Sequence, residues 1–299
     1  MGLTKARVLT ALGSTALAAG LLAVDGAPAA SGRRALEPYA GIGSWISIYD
    51  DTAWRNPKRA VQVLRSHGID TLYLETANYK QTVDVVKPLR LGQFIDEAHA
   101  AGIAVVGWYL PSLAAPQRDL RRALAGARLR TSAGNGFDSF ALDIEATKVR
   151  SLVLRNRRAV RLARDFRRAL PASFPLAAIT IAPVGASPSY WPGYPFRQLR
   201  RYVDVMVPMT YFTARVRGAP KVAAYTAANL GYIRARVGQS FPIHPIGGES
   251  RKATLAEVKA FFGKAASCRT VGASLWEYGE TTRAQWRVLA APPAGDGTC

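Results

Sequence analysis

The feature that most constrains the fold is a regular alternation, after residue 40, of short apolar runs with longer amphipathic runs. The apolar runs have the length of buried strands, and the runs that follow them have the apolar spacing of helices. Such alternation implies parallel strands joined by right-handed crossovers, and eight strand–helix units over roughly 260 residues have the size of a (β/α)8 barrel. The predicted strands are 43–49, 71–76, 104–110, 139–145, 176–182, 203–211, 241–247 and 272–278, and the predicted helices are 57–67, 91–101, 117–129, 149–170, 196–201, 220–237, 255–265 and 283–289.

An open, doubly wound sheet is the main alternative to the barrel, because it also alternates strands and helices. A sheet of that kind is expected to carry a glycine-rich phosphate loop after its first strand. Here Tyr49-Asp50-Asp51-Thr52 occupies that place. The sequence therefore predicts the α/β class and a single (β/α)8 TIM barrel over 40–290, with an N-terminal tail over 31–39 and a C-terminal tail over 291–299.

The start of the chain differs in character from the rest. Lys5 and Arg7 precede an apolar run over 8–24, and the small residues Ala27-Pro28-Ala29-Ala30 follow it. This order is typical of a secretory signal peptide over 1–30. The alternative is a membrane anchor, for which the run is short. We therefore expect a secreted protein, extracellular or associated with the cell wall, that keeps no stable membrane span after cleavage.

Export makes the two cysteines informative. In an oxidising compartment Cys268 and Cys299 could form one disulfide bridge, and two free thiols are the alternative. The three histidines, His67, His99 and His244, are too scattered to indicate a zinc site. We therefore expect neither a metal nor an organic cofactor. Nothing in the sequence requires an oligomer, and we expect a monomer.

The chain is strongly basic, with a formal net charge of +20, and its arginines concentrate in 118–130 and 150–168. Such a surface could attract an anionic polymer, including a cell-wall polymer or a nucleic acid. The alternative is a solvated helical face. The basic stretches contain few aromatic residues and no nucleic-acid-binding motif, so we do not expect a nucleic acid as partner.

Carboxylate and aromatic residues stand at the ends of almost all the predicted strands. Asp143 and Glu145 are two residues apart, so their side chains point to the same face of a strand. The active site of a barrel is built at the C-terminal ends of its strands, where paired carboxylates can do acid–base work and where aromatic rings can stack on sugars. The residues at these ends are Tyr49, Asp50, Glu75, Trp108, Tyr109, Asp143, Glu145, Thr180, Met209, Tyr211, Glu249, Trp276, Glu277 and Tyr278.

The fourth predicted strand resembles that of the family-18 chitinases, which are (β/α)8 glycoside hydrolases. The family's strand reads Asp-x-x-Asp-x-Asp-x-Glu. Here Asp138, Asp143 and Glu145 match three of the four acids, and Ala141 replaces the second. The resemblance implies that Glu145 is the general acid, that Asp143 orients the substrate or tunes the pKa of that acid, and that Asp138 belongs to the substrate-binding set. Two acids so close together do not ionise independently.

The sixth and eighth strands carry the rest of the resemblance. Met209-Thr210-Tyr211 matches the family's Met-x-Tyr-Asp, although Phe212 stands where the family has aspartate, and Trp276 fits the tryptophan at the floor of the sugar site. The resemblance implies that Met209, Tyr211 and Trp276 bind substrate. The acids missing at Ala141 and Phe212 count against the family's substrate-assisted mechanism.

Several residues at strand ends have two interpretations. Many retaining barrel glycosidases place the acid/base on strand four and the nucleophile on strand seven, as Glu145 and Glu249 would be, but Glu249 could instead form a salt bridge. Glu75 could bind a sugar hydroxyl or pair with an arginine. Trp108 could be a sugar platform or a packing residue, and Trp45 is interpreted as a packing residue.

The sequence thus predicts a secreted glycoside hydrolase that cleaves glycosidic bonds in a polysaccharide or oligosaccharide by carboxylate acid/base catalysis. The alternative is a catalytically inactive carbohydrate-binding barrel of the cell wall. A third possibility is a wall-anchoring protein that uses its basic surface. An esterase would usually show Gly-x-Ser-x-Gly after a strand, and a metal-dependent deacetylase would need clustered histidines; the sequence has neither.

Overall fold

In the computed structural model, which describes Met1 and residues 36–185 and 190–299, eight parallel strands close a barrel in chain order. The predicted (β/α)8 fold is confirmed. The strands are β1 (Gly41–Ile46), β2 (Thr71–Asn78), β3 (Ala104–Leu110), β4 (Ser139–Ile144), β5 (Leu176–Ile181), β6 (Val205–Met209), β7 (Ile246–Glu249) and β8 (Gly272–Trp276). The helices are α1 (Asp51–Arg55), α2 (Pro57–Ser66), α3 (Pro88–Ala100), α4 (Pro116–Ala127), α5 (Leu152–Arg168), α6 (Phe196–Leu199), α7 (Ala219–Val237), α8 (Leu255–Ser267) and α9 (Arg283–Ala290).

Side chains alternate across the barrel wall and so build two separate apolar cores. On β4, Phe140, Leu142 and Ile144 pack outward against the helices, whereas Ala141 belongs to the core inside the barrel. Because side chains two residues apart share a face, Asp143 points into the barrel above Ala141. The inner core consists of Tyr39, Trp45, Tyr73, Val106, Trp108, Ala141, Ala177, Ile179, Val205, Val207 and Ile246.

The N-terminal end of the barrel is closed from below. The signal peptide predicted over 1–30 lies outside the described residues, apart from Met1, but the last part of the predicted tail over 31–39 is described. A 3-10 helix over Glu37–Tyr39 places the fully buried Tyr39 inside the barrel, where its hydroxyl bonds that of Ser139. The open end of the barrel is therefore the one at which the strands finish.

The seventh strand differs from its prediction. The sequence predicts a strand over 241–247, but β7 begins at Ile246 and continues to Glu249. Two prolines explain the late start, because proline has no N–H to donate to a ladder. The carbonyls of Pro242 and Pro245 still accept hydrogen bonds from Met206 and Ser274, so this segment follows the barrel wall without forming a full strand.

The C-terminal end is fixed to the last helix–strand connection. The predicted disulfide between Cys268 and Cys299 is present. Asp296 adds a second attachment, because its carboxylate accepts a hydrogen bond from Ser267 at 2.6 Å and lies 3.3 Å from the ammonium of Lys264. None of the helices in the described residues is both long and apolar enough to cross a membrane.

Candidate active site

A cavity of about 260 Å³ opens at the C-terminal ends of the strands. All eight strands, or the residues that directly follow them, contribute to its walls. Three carboxyl groups and five aromatic rings are among its lining residues. The lining residues are Trp45, Ser47, Tyr49, Glu75, Asn78, Lys80, Trp108, Leu110, Asp143, Glu145, Ile179, Met209, Tyr211, Ile246 and Trp276.

The end of β4 carries the two acids at the centre of the sequence prediction, and both line the cavity. Asp143 is only 6% exposed, whereas Glu145 follows the last residue of the strand and is half-buried. Two tyrosines from the segment between β5 and α6 hold this strand end. Tyr194 donates its hydroxyl hydrogen to the carbonyl of Ile144 at 2.9 Å, and Tyr190 donates to the carbonyl of Glu145 at 3.1 Å.

Both acids are hard to ionise where they lie. Burial raises the pKa of Asp143 well above its ordinary value, and the neighbouring Glu145 and Glu75 raise it further. Burial also raises the pKa of Glu145, and the ammonium of Lys80 partly offsets this effect. Carboxyl groups coupled in this way titrate as a pair. The site therefore holds a protonated carboxyl at a pH at which isolated acids are ionised.

A third carboxyl group, on β2, faces the same cavity. Glu75 is 2% exposed, and its two oxygens accept hydrogen bonds from the backbone of Ile48 at 2.9 Å and from Asn78 at 3.0 Å. Burial raises the pKa of Glu75 to about 7, although these two hydrogen bonds act in the opposite direction. It does not pair with an arginine in the described structure, so the salt-bridge interpretation does not hold there.

The floor of the cavity is a group of three tryptophans. The ring centroids of Trp45, Trp108 and Trp276 lie 5.9–6.0 Å from one another, and the ring of Tyr211 lies 6.4 Å from that of Trp276. The indole N–H of Trp108 and one oxygen of Asp143 are buried without a hydrogen-bond partner in the described part of the chain. Flat rings beside unsatisfied polar atoms suit a ligand with both apolar faces and hydroxyl groups, as a sugar has.

Most of the predicted site residues meet in this cavity, but Asp138 and Glu249 do not line it. Asp138 precedes β4 and lies at the opposite end of the barrel, where its carboxylate bonds His99 at 2.9 Å and the backbone of Val105 at 2.7 Å. Glu249 ends β7, and its carboxylate forms an ion pair with Lys252 at 2.6 Å. Met209, Tyr211, Trp108, Trp276 and Glu75 line the cavity with the two acids of β4.

Sequence reasoning missed Asn78, Lys80 and the cavity-lining role of Trp45. Asn78 is three residues from Glu75, and strict alternation would place them on opposite faces of β2. A bulge between Glu75 and Ala77 shifts the register and brings Asn78 to the same carboxyl group. The sequence signal was present for Trp45, which lies one residue before the end of β1 and faces the inner core.

Among residues 36–185 and 190–299, no three His, Cys, Asp or Glu side chains are arranged to hold a metal ion. The chemistry available to the described residues is proton transfer by the carboxyl groups, hydrogen bonding by Asn78 and the carboxylates, and stacking on the rings.

No protein-family model matches the chain, and neither does any curated protein. Solved structures with the same fold do match. The spore cortex-lytic enzyme SleL of Bacillus cereus has a TM-score of 0.64 at 10% identity, over 87% of this chain and 76% of that one. The endo-β-1,4-mannanase of Thermotoga petrophila has a TM-score of 0.62 at 13% identity, and the match covers 80% of this chain and 68% of that one. The class V chitinase of Pseudomonas fluorescens has a TM-score of 0.61 at 13% identity, and the match covers 84% of this chain and 98% of that one. The likeness establishes that this chain shares the barrel fold of these proteins.

Proposed function

We propose that this protein is a secreted glycoside hydrolase that cleaves glycosidic bonds in a polysaccharide, with Glu145 as the proton donor and Asp143 as its partner. The observation that carries the proposal is the coupled pair of raised-pKa carboxyl groups facing an open cavity floored by three tryptophans. The mannanase, chitinase and cortex-lytic neighbours support it by their fold. The disulfide supports export, since such bridges persist in oxidising compartments.

In the proposed reaction a sugar ring stacks on the tryptophan floor with its glycosidic oxygen beside Glu145. The protonated Glu145 gives its proton to that oxygen as the bond to the anomeric carbon breaks. Asp143 stays protonated and orients the sugar through a hydrogen bond, and Glu75 in its carboxylate form stabilises the positive charge that develops on the ring. Glu145, now ionised, accepts a proton from the water whose oxygen bonds the anomeric carbon, and the site returns to its starting state.

The nucleophile role considered for Glu249 is not part of the proposal. Its carboxylate is paired with Lys252 and does not line the cavity. We therefore do not assign Glu249 as a nucleophile that attacks the sugar from strand seven. Glu75, Tyr211, Trp108, Met209 and Trp276 remain the proposed substrate contacts.

The test compares the purified protein with its Glu145→Gln variant on mannan, chitin and bacterial cell-wall glycan. Glutamine keeps the size of the side chain but has no acidic proton, so we expect the release of reducing ends to fall about 10²–10⁴-fold while glycan binding persists. Glu37→Gln, at an exposed carboxyl group remote from the cavity, is the matched control and should keep full activity. Equal activity of wild type and Glu145→Gln would exclude this acid.

The second candidate is a carbohydrate-binding barrel without catalysis. Two departures from the chitinase acid network favour it: Ala141 lies in the inner core below Asp143, and Phe212 is fully buried against Phe261, so neither position brings a carboxyl group to the cavity. If wild type and Glu145→Gln release no reducing ends from any glycan tested, yet bind one of them equally, the binding role replaces the hydrolase.

A further inference from the structure

The outer face of α5 carries four arginines at helical spacing, on the side of the barrel wall away from the cavity. Arg157, Arg161, Arg164 and Arg168 are separated by four, three and four residues, so they form one row along the helix, called here the arginine stripe. At 1.5 Å per residue the stripe is about 16 Å long. All four side chains are exposed or half-exposed.

The other three arginines of α5 have structural contacts. Arg155 is buried and donates to the carbonyls of Val149 and Tyr190 at 2.7 and 3.0 Å, Arg158 donates to the carbonyl of Leu113 at 2.9 Å, and Arg167 lies 3.4 Å from Asp204. These side chains tie α5 to its neighbours. The arginine stripe has no comparable structural contacts.

Little within the described chain neutralises the arginine stripe. Asp165 is its single acidic contact there, 2.9 Å from Arg164 and 3.4 Å from Arg161, and Arg157 and Arg168 make no side-chain hydrogen bond or ion pair with any described residue. Like charges three or four residues apart destabilise a helix. A row of this kind therefore costs the helix stability; Asp165 offsets part of that cost, and a bound anion would offset more of it.

Two surface grooves run beside the arginine stripe, and Arg161 borders both. The groove between α4 and α5, of about 550 Å³, is also lined by Arg118 and Arg121. The groove between α5 and α6, of about 450 Å³, is also lined by Arg157 and Arg164. Helices of this barrel begin at the end where the cavity opens, so the grooves start near the rim of the candidate active site.

We infer that the arginine stripe and its two grooves form a docking surface for a carboxylate-bearing polysaccharide. Guanidinium groups bind carboxylates through paired hydrogen bonds, and a repeating polymer presents them in a row. Tyr202 is the one aromatic residue among the described groove-lining side chains, which disfavours a single-stranded nucleic acid held by base stacking. The choice of a polysaccharide as the partner rests on the proposed function. The description of the arginine stripe and its two grooves does not depend on that proposal.

The test measures equilibrium binding of polygalacturonate, with neutral mannan, poly(glycerol phosphate) and single-stranded DNA as comparison polymers. The protein carries Glu145→Gln throughout, so that cleavage does not alter the polymer and a failure of the hydrolase proposal stays separate. We expect polygalacturonate to bind with an affinity that falls with salt, and the triple variant Arg157→Gln, Arg161→Gln, Arg164→Gln to weaken it about tenfold or more with a shallower salt dependence.

The control removes the same charge elsewhere. Arg59, Arg283 and Arg287 are exposed on α2 and α9, and their change to glutamine should leave binding of polygalacturonate close to that of the parent protein. Neither triple variant should have a lower unfolding temperature than the parent, since all six side chains lie at the surface and the stripe variant also loses repulsion between like charges. The inference is overturned if polygalacturonate does not bind, if the two triple variants bind it equally, or if poly(glycerol phosphate) or DNA binds more tightly than polygalacturonate.

Discussion

Replacing Glu75 with glutamine tests how strongly the cavity opposes the ionisation of a buried carboxyl group. Burial raises the pKa of Glu75 from 4.5 to about 7. Each pKa unit corresponds to 1.36 kcal/mol, so a shift of this size represents about 3 kcal/mol. The folded state binds the proton more tightly than the unfolded state. The stabilisation is therefore complete below pH about 4.5 and is lost as the pH rises through about 7.

Glutamine carries no charge at any pH, so the Glu75→Gln variant escapes this loss. One of the two hydrogen bonds from Ile48 and Asn78 disappears, because the amide nitrogen does not accept. That loss of about 1 kcal/mol applies at both ends of the pH range, and it cancels when two pH values are compared. Part of the loss has already occurred at pH 5, so between pH 5 and pH 8 the variant should gain about 2.5 kcal/mol over wild type, or ~5–10 °C in unfolding temperature for a domain of this size.

The assay is thermal and urea unfolding at pH 5, 6.5 and 8, followed by circular dichroism. Glu37→Gln, at an exposed carboxyl group, should follow the wild-type curve at all three pH values. If the stabilities of wild type and Glu75→Gln change in parallel across the range, Glu75 ionises with an ordinary pKa. The reasoning from its burial would then be refuted.

Three further changes test other parts of the structure. Lys80→Gln removes the charge that lowers the pKa of Glu145, so the alkaline limb of the pH profile of kcat/KM should move to higher pH. An alkaline limb that does not move would contradict this prediction. Replacing Cys268 and Cys299 with alanine opens a disulfide link of sequence separation 31, so the free energy of unfolding measured in urea should fall by about 3–4 kcal/mol. Reduction of the wild-type disulfide should cost the same, and unchanged stability would contradict this prediction. Tyr194→Phe leaves a buried carbonyl at the end of β4 without its donor and should cost about 1–3 kcal/mol by the same measurement, whereas a loss near zero would show that the bond is replaced.

The barrel was predictable because the period of the apolar residues changes from strand to helix eight times, and each change is local. The ends of the strands were less predictable, since the ladder depends on the neighbouring strand. Pro242 and Pro245 delay β7, and the bulge at Glu75 lengthens β2 to Asn78. The burial of Tyr39 inside the barrel is a long-range contact with Ser139, which no local pattern encodes.

The candidate site was predictable where two residues lie on one face of one strand. Asp143 and Glu145 meet this condition, and both line the cavity. Asp138 belongs to the same motif, but it lies five residues before Asp143, and a strand of this length carries it to the opposite end of the barrel. Glu249 ends its strand as predicted, yet the sequence does not determine which partner its carboxylate selects.

The surroundings of Asp143 and Glu145 assign them different parts in proton transfer. Asp143 lies deeper, and burial, Glu145 and Glu75 all raise its pKa. Glu145 is half-buried at the rim, and the ammonium of Lys80 favours its carboxylate form. When Glu145 has given up its proton, Asp143 therefore remains protonated, and Lys80 stabilises the carboxylate left behind. Because the ionised Glu145 raises the pKa of Asp143, Asp143 should titrate at a lower pH in the Glu145→Gln variant than in the wild type when its carboxyl signal is followed by NMR, whereas an unmoved titration would show that the two acids are independent.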